Sequence, residues 1–287
     1  MKTAITSASG QLGSAIAKQL IKKFGKDDVI AIARTPEHAE SLGVEVRAGD
    51  YTQKEQFDTA LRGVDTLLLV SGNDDPEKRK QQHANVIDAA LAAGVHKVVY
   101  TSIIGPLSNS DFSPVVKSNR HTEAYLKNSG LTWSIGRNGI YLEPDLEYLN
   151  YYQKDGKITN SAGDGRCAYT TRKELADAYA RMLTEDQHNG QTYNLAGPAI
   201  TQYELADLMN EVFGTNLHYE PMSGEAYRQQ RIDELGEFMG TVIAGIYQGI
   251  RNGAMDVPSD YRKAAGREHI SIREAMRHFQ KILVPKE

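Results

Sequence analysis

Two periods govern the first hundred residues. Short, mostly apolar runs at 2–5, 28–33, 64–70 and 95–102 have the length of buried strands, and residues 44–47 alternate as a fifth. Amphipathic stretches at 11–24, 53–61 and 77–93 lie between them, and Pro36 suits the first turn of a fourth helix. Five strands alternating with four helices predict a parallel sheet with right-handed crossovers. Residues 131–135 and 193–195 read as further strands. Thr171 and Glu174 fit a capping box for a helix over 175–183. Thr201 opens another, with Leu205, Leu208, Met209 and Val212 on its apolar face. The rest is mostly helical. There Leu235, Phe238, Met239, Val242, Ile243, Ile246, Tyr247 and Ile250 form a broad stripe, expected in the core. A lid over an apolar ligand and a face between two copies are the alternatives. The pattern predicts an α/β fold: a doubly wound parallel sheet with a smaller, mostly helical C-terminal lobe.

The first strand enters a small-residue turn, Thr6-Ser7-Ala8-Ser9-Gly10-Gln11-Leu12-Gly13, where a helix begins. Strand, turn and helix N-terminus make a phosphate cradle, with N–H groups facing outward and the helix dipole favouring an anion. Thr6, Ser9, Gly10, Gln11 and Leu12 are the candidate contacts for a dinucleotide. Gly10 lets a pyrophosphate approach, and Gly13 lets helix pack on strand. Ser7 stands where a first glycine is expected. If the turn needs positive φ, serine costs roughly 1 kcal/mol there. A hydroxyl bond to phosphate would offset part of that.

Arg34 ends the second strand where an acidic residue would favour NAD. Its guanidinium suits a 2′-phosphate, so NADPH is expected to bind more tightly than NADH; a solvated loop arginine is the alternative. Asp50 is placed either to accept from an adenine amino group or to cap the next helix. Ser71, Gly72, Thr101 and Ser102 fall at the carboxyl ends of two strands, the ligand edge of such a sheet. The architecture is therefore read as Rossmann-type. Residues 1–135 form the dinucleotide-binding core, 157–195 return to it, and 136–156 with 196–287 form the substrate lobe. The segment 137–141 is expected to turn at the mouth of the site. Its Asn138 and Tyr141 are the catalytic candidates: an amide for a nicotinamide or acceptor oxygen, and a ring and hydroxyl for an aromatic acceptor. Both residues merely holding the turn is the alternative. His83 reads as a packing residue.

Composition narrows the partners. Hydrophobic residues at 40% and charged residues at 24% describe an ordinary globular chain. A formal charge of −4 gives no electrostatic case for nucleic acid or an anionic membrane. The single cysteine, Cys167, excludes an intrachain disulfide and a multi-cysteine metal site, and no metal is expected. No apolar run reaches membrane-spanning length and no signal peptide is read, so cytoplasm is the expected location.

The start resembles the Thr-Gly-Ala-Thr-Gly-Gln-Leu-Gly of the NmrA-like branch of atypical short-chain dehydrogenases/reductases. Similarity continues through Gly49-Asp50-Tyr51, Gln82-His83-Ala84-Asn85-Val86, Ala92-Ala93-Gly94-Val95, Tyr100-Thr101-Ser102, Arg137-Asn138-Gly139-Ile140-Tyr141, Ala162-Gly163-Asp164-Gly165 and Thr171-Arg172, roughly the first two hundred residues. The resemblance implies an NADPH-dependent reductase of the quinone- and triphenylmethane-reducing kind. Asn119 stands where such relatives tend to carry a histidine, and His121 is shifted by two. The Tyr-x-x-x-Lys acid of carbonyl-reducing relatives is missing: Tyr100 is followed four residues on by Ile104, Tyr125 by Ser129, and Lys117 is preceded by Ser113. Lys117 is either a contact of the nicotinamide ribose or simply solvated. The expected activity is hydride transfer from NADPH to a quinone or another small aromatic acceptor, without flavin, with a homodimer left open. The alternative is a non-catalytic, NAD(P)-sensing regulator of the NmrA type that acts through protein partners.

Overall fold

The computed structural model describes residues 1–283. Its first half runs β1 (Thr3–Ile5), α1 (Gln11–Phe24), β2 (Val29–Ala33), a 3-10 helix (Pro36–Leu42), β3 (Glu45–Ala48), α2 (Lys54–Ala60), β4 (Thr66–Leu69), α3 (Pro76–Ala92), β5 (Lys97–Ile103), α4 (Ser113–Lys127) and β6 (Thr132–Asn138). There follow β7 (Ile140–Tyr141), α5 (Glu143–Glu147), α6 (Leu149–Asp155), β8 (Lys157–Asn160), β9 (Cys167–Thr170), α7 (Arg172–Thr184) and β10 (Gln191–Leu195). The chain continues through β11 (Ala199–Ile200), α8 (Gln202–Phe213), β12 (His218–Pro221), α9 (Gly224–Leu235), α10 (Glu237–Arg251), α11 (Tyr261–Ala265) and α12 (Ile272–Leu283).

Seven parallel strands form the central sheet in the order β10-β6-β5-β4-β1-β2-β3. Alternation along each strand builds the two outer layers. Ala4, Ile30, Ile32, Leu67, Leu69 and Tyr100 face one way, into a core shared with Val86, Ile87 and Leu126 of α3 and α4. Ile5, Ala31, Leu68 and Val99 face the other way, against Ile16 and Leu20 of α1 and Tyr179 of α7. Fully burying one such Ile or Leu contributes roughly 1.5–3 kcal/mol. The order reverses at β1, which pairs with β2 on one side and β4 on the other. Ligands of open α/β sheets bind beyond the strand ends at such a reversal.

Several expectations change in detail. Pro36 opens a 3-10 helix, not an α-helix. The strand expected to end at residue 135 runs on to Asn138, since Arg137 and Asn138 pair with Ser102 and Ile103 of β5. Of residues 157–195, only α7 and β10 join the central sheet. In small separate sheets, β8 pairs with β12, and β9 with β7 and β11. Thr171 caps α7 by accepting from Glu174 N at 3.1 Å, but Glu174 does not close a box. Its buried carboxylate is drawn to both terminal nitrogens of Arg267 instead, at 2.6 and 2.7 Å. The reciprocal box forms at Thr201 and Glu204.

The apolar stripe of α9 and α10 is the largest departure. Leu235, Phe238 and Met239 are over 40% exposed, and Val242, Ile243, Ile246 and Tyr247 are half-buried. The inward face of α10 is Gly240, Ala244, Gly245, Gly249 and Ile250, so of the stripe Ile250 alone is buried as expected, with Val242, Ile246 and Tyr247 packed at the edge of the core. A Cβ on Gly245 would lie 2.2 Å from the Phe112 nitrogen, so backbone packs on backbone there.

Candidate cofactor and acceptor site

The turn between β1 and α1 has the geometry an anion needs. Gly10 caps the helix without a side-chain bond, and no acidic residue stands in the first turn. Gly10 N donates to Ser7 O at 2.9 Å, and the first helical bond is Ser14 N to Gly10 O. The N–H groups of Gln11, Leu12 and Gly13 thus precede the intrahelical ladder and suit a pyrophosphate. Ser9, Gly10 and Gln11 are exposed, and Leu12 is buried under them. A Cβ on Gly13 would sit 2.3 Å from Ser7 O, so the turn closes only on glycine there. Ser7 adopts φ +50°, the left-handed conformation expected of the missing glycine. Its hydroxyl faces Tyr51 Oη at 3.2 Å and so already has a protein partner.

The Thr6 hydroxyl is already taken. Thr6 is fully buried, and its hydroxyl donates to Leu68 O (3.1 Å), accepts from Val70 N (2.9 Å) and lies 2.6 Å from Tyr51 Oη. It ties β1 to β4 beneath the cradle. Arg34 is exposed at the end of β2 with no ion pair among the described residues, so its guanidinium is free for a phosphate. Asp50 Oδ1 accepts from the nitrogen (2.9 Å) and hydroxyl (2.8 Å) of Thr52, an Asx-type turn leading into α2. The helix-side reading of Asp50 is thus the one its hydrogen bonds show.

At the end of β4, Ser71 and Gly72 are half-buried. Gly72 N donates to His83 Nε2 at 3.1 Å. The His83 ring proton therefore sits on Nδ1 and goes to Thr122 Oγ1 at 2.9 Å. Burial, then the nearby Arg79 charge, pushes His83 down to about 3, so it stays neutral. Thr101 Oγ1 accepts from Ser71 N at 2.9 Å and joins the two strand ends. Ser102 is 3% exposed and its hydroxyl is taken up inside the protein: it donates to Glu123 Oε1 at 2.6 Å and accepts from Arg120. Burial alone would raise the Glu123 carboxyl. Arg137, Ser102 and Arg120 together hold it below its ordinary value. Lys117 and His121 are exposed on α4, with His121 stacked on Tyr125.

At the end of β6, Asn138 is 3% exposed, so its amide is engaged chiefly by its neighbours. Tyr179 donates to Asn138 Oδ1 at 2.6 Å, and Asn138 Nδ2 donates to Tyr141 Oη at 3.2 Å. Tyr141 therefore accepts from below and keeps its own proton for another acceptor. Burial raises the Tyr141 phenol, so it stays protonated near neutrality. Arg172 lies 5.4 Å from its ring. Cys167 is buried and its thiol is pushed up by burial, which leaves it inert. No cluster of three metal-ligating side chains occurs among the described residues, nor any helix long and apolar enough to cross a membrane.

A family model described as NAD(P)H-binding matches residues 7–186, the stretch that contains the cradle and both strand ends. The chain belongs to this NAD(P)H-binding, NmrA-like family. It is 34% identical over 285 residues to quinone oxidoreductase 2 of Escherichia coli K12, covering 96% of this chain and 98% of that protein. The crystal structure of the E. coli NADPH-dependent quinone oxidoreductase with NADPH superposes with TM-score 0.89 at 32% identity, over 97% of this chain and 99% of that one. The Citrobacter sp. triphenylmethane reductase with NADP(H) gives 0.88 at 34%, over 96% and 99%. The protein is an NAD(P)H-dependent reductase of this family, and the relatives whose structures it matches were solved with NADPH or NADP(H). The open N–H groups at α1 and the glycine contact behind them fit that dinucleotide.

Arg79 and Tyr179 belong to no motif read in the sequence, while Tyr51 stood out only as part of Gly49-Asp50-Tyr51 and Asn119 only as a departure from the histidine of relatives. Nothing local to any of the four says which polar group its side chain will meet.

Proposed function

We propose that the enzyme reduces quinones or similar small aromatic acceptors with NADPH. The observation that carries this reading is the end of β6, where Tyr141 offers a ring and a free proton while held from below by Asn138 and Tyr179. Bound NADPH supplies the hydride. Backbone groups at Gln11 to Gly13 hold its pyrophosphate, Arg34 its 2′-phosphate, and Ser71 and Thr101 orient the nicotinamide half. Tyr141 stacks the acceptor and donates to its oxygen. Reducing a simple ketone makes a basic alkoxide, and a positioned acid then contributes about 10²–10⁴-fold. A quinone gives a delocalised anion that needs chiefly orientation and a nearby donor. The family names support the same class, since relatives are called quinone oxidoreductase and triphenylmethane reductase.

Single-turnover oxidation of NADPH with a quinone and with an unactivated ketone, at matched concentrations, tests this. The quinone is expected to react at least about a hundredfold faster. Tyr141→Phe should slow it while NADPH binding stays within about twofold. Comparable rates with both acceptors would mean that a stronger acid lies in the cleft. Tight NADPH binding without oxidation by any acceptor would favour a sensing role.

A further inference from the structure

Arg79 is a guanidinium buried to 4% exposure on the α3 side of the sheet, and no carboxylate pairs with it among the described residues. Its Nε has no partner at all. Nη2 donates to Ser71 Oγ at 2.5 Å and more distantly to Asn119 Oδ1 at 3.3 Å. Asn119 Nδ2 donates to Val115 O at 2.9 Å, which fixes the amide so that Oδ1 faces this cluster. The same Oδ1 accepts from Tyr100 Oη at 2.7 Å and from Ser71 Oγ at 3.0 Å. Burying an unpaired charge is costly, and such a group commonly marks a functional site.

Proton bookkeeping gives the consequence. Ser71 has one proton and two lone pairs. Arg79 occupies one lone pair, and the proton goes to Asn119 Oδ1. Tyr100 Oη also lies 3.4 Å from Ser71 Oγ but gives its proton to Asn119 Oδ1 at the shorter 2.7 Å, so one Ser71 lone pair is left over at the end of β4. We propose that Arg79 and Asn119 are positioning residues that fix Ser71 as a hydrogen-bond acceptor for a hydroxyl or amide donor on the nicotinamide nucleoside of NADPH. This rests on the reading that the nicotinamide half lies over the ends of β4 and β5. Without Arg79 the Ser71 hydroxyl is held only by its longer bond to Asn119 Oδ1 at 3.0 Å, and its lone pairs are no longer fixed in direction.

The test is calorimetric titration of wild type, Ser71→Ala, Arg79→Met and the double variant with NADPH. Adenosine 2′,5′-bisphosphate, which lacks the nicotinamide nucleoside, is titrated in parallel. Each single substitution is expected to weaken NADPH about tenfold, the second to add less than about threefold, and the bisphosphate to bind all four proteins alike. Unchanged NADPH affinity in Arg79→Met, or losses that multiply to about a hundredfold in the double variant, would overturn the proposal. So would an equal loss of both ligands, which is what a merely structural arginine produces. If Arg79→Met does not fold, Arg79→Lys replaces it: the charge stays, the fork is lost, and a weakening confined to NADPH is again required. Wild-type protein that binds neither ligand would sink the cofactor reading, and the proposal with it.

Discussion

Ser7 shows how one residue can violate a motif and still hold its geometry. Its φ of +50° costs a non-glycine residue roughly 1 kcal/mol, and the hydroxyl regains part of that through Tyr51 at 3.2 Å. Ser7→Gly removes both effects. Its thermal stability should equal or slightly exceed that of wild type, and NADPH should bind equally or up to about fivefold more tightly. A tenfold loss in a fluorescence titration would make the hydroxyl a net contributor to binding. Arg34 bears on cofactor choice in the same direct way. Charge-assisted hydrogen bonds contribute about 1.5–3 kcal/mol. Arg34→Ala is therefore expected to weaken NADPH by about tenfold or more and leave NADH within about twofold. Equal losses for both would remove Arg34 from the 2′-phosphate site.

At the scale of the element, α10 runs against its own hydrophobicity. A helix normally buries its large apolar face. Here Gly240 and Gly245 go inward beside Ile250 because the backbones of α9 and of residues 111–112 approach too closely for side chains. Gly240 faces Arg231 and Ile232, Gly245 faces Asp111 and Phe112, and Gly249 faces Pro106. Close approach buries more backbone and leaves Val242, Ile246 and Tyr247 half-covered. Gly245→Val should lower stability by about 1–3 kcal/mol through overpacking, read as a drop in denaturant midpoint. Unchanged stability would mean that α10 can move off the 106–112 segment. The two capping sites teach a related lesson. Thr171 with Glu174 and Thr201 with Glu204 share one local pattern, yet only the second closes its box, because Arg267 lies 93 residues away in sequence and claims Glu174 first.

For the molecule as a whole, buried carboxylates set the pH profile in opposing senses. Glu123 and Glu174 have their carboxyls held down by arginines, so their contributions are present above the unfolded value near 4.3 and lost as pH falls through the folded one. Asp145 is the reverse. It is buried, bonded by Tyr152 Oη at 3.0 Å, has no salt bridge among the described residues, and is pushed up to about 6 by burial. A raised folded value means the native state binds its proton more tightly. Stability from this group is therefore full below about pH 4 and falls as pH rises toward 6, by on the order of 3 kcal/mol. Asp145→Asn should be as stable as wild type or more so at pH 7.5 and gain nothing at pH 4.5. Denaturant melts at the two values check this. A large loss at pH 7.5 would show that the carboxylate is compensated there.

The sequence by itself determined the layered α/β class, the positions of the parallel strands and the cradle, because strand and helix periods and small-residue turns are local. It also carried the family, through motifs spread over about two hundred residues. It placed Ser71, Gly72 and Thr101 at the carboxyl edge of the sheet for the same reason: in a parallel sheet the end of each strand is written in its own run. Tertiary structure alone decided what each polar side chain meets. Thr6 and Ser102 sit where the sequence puts them, but Tyr51 and Glu123, 45 and 21 residues away, turn their hydroxyls inward. The chain also gives no sign that Arg79 will lie under Ser71, or Tyr179 under Asn138, since those pairs come from different elements. Hydrogen-bond partners are fixed by which helices cover which strand ends. That is a property of packing, on which the period of any one segment is silent.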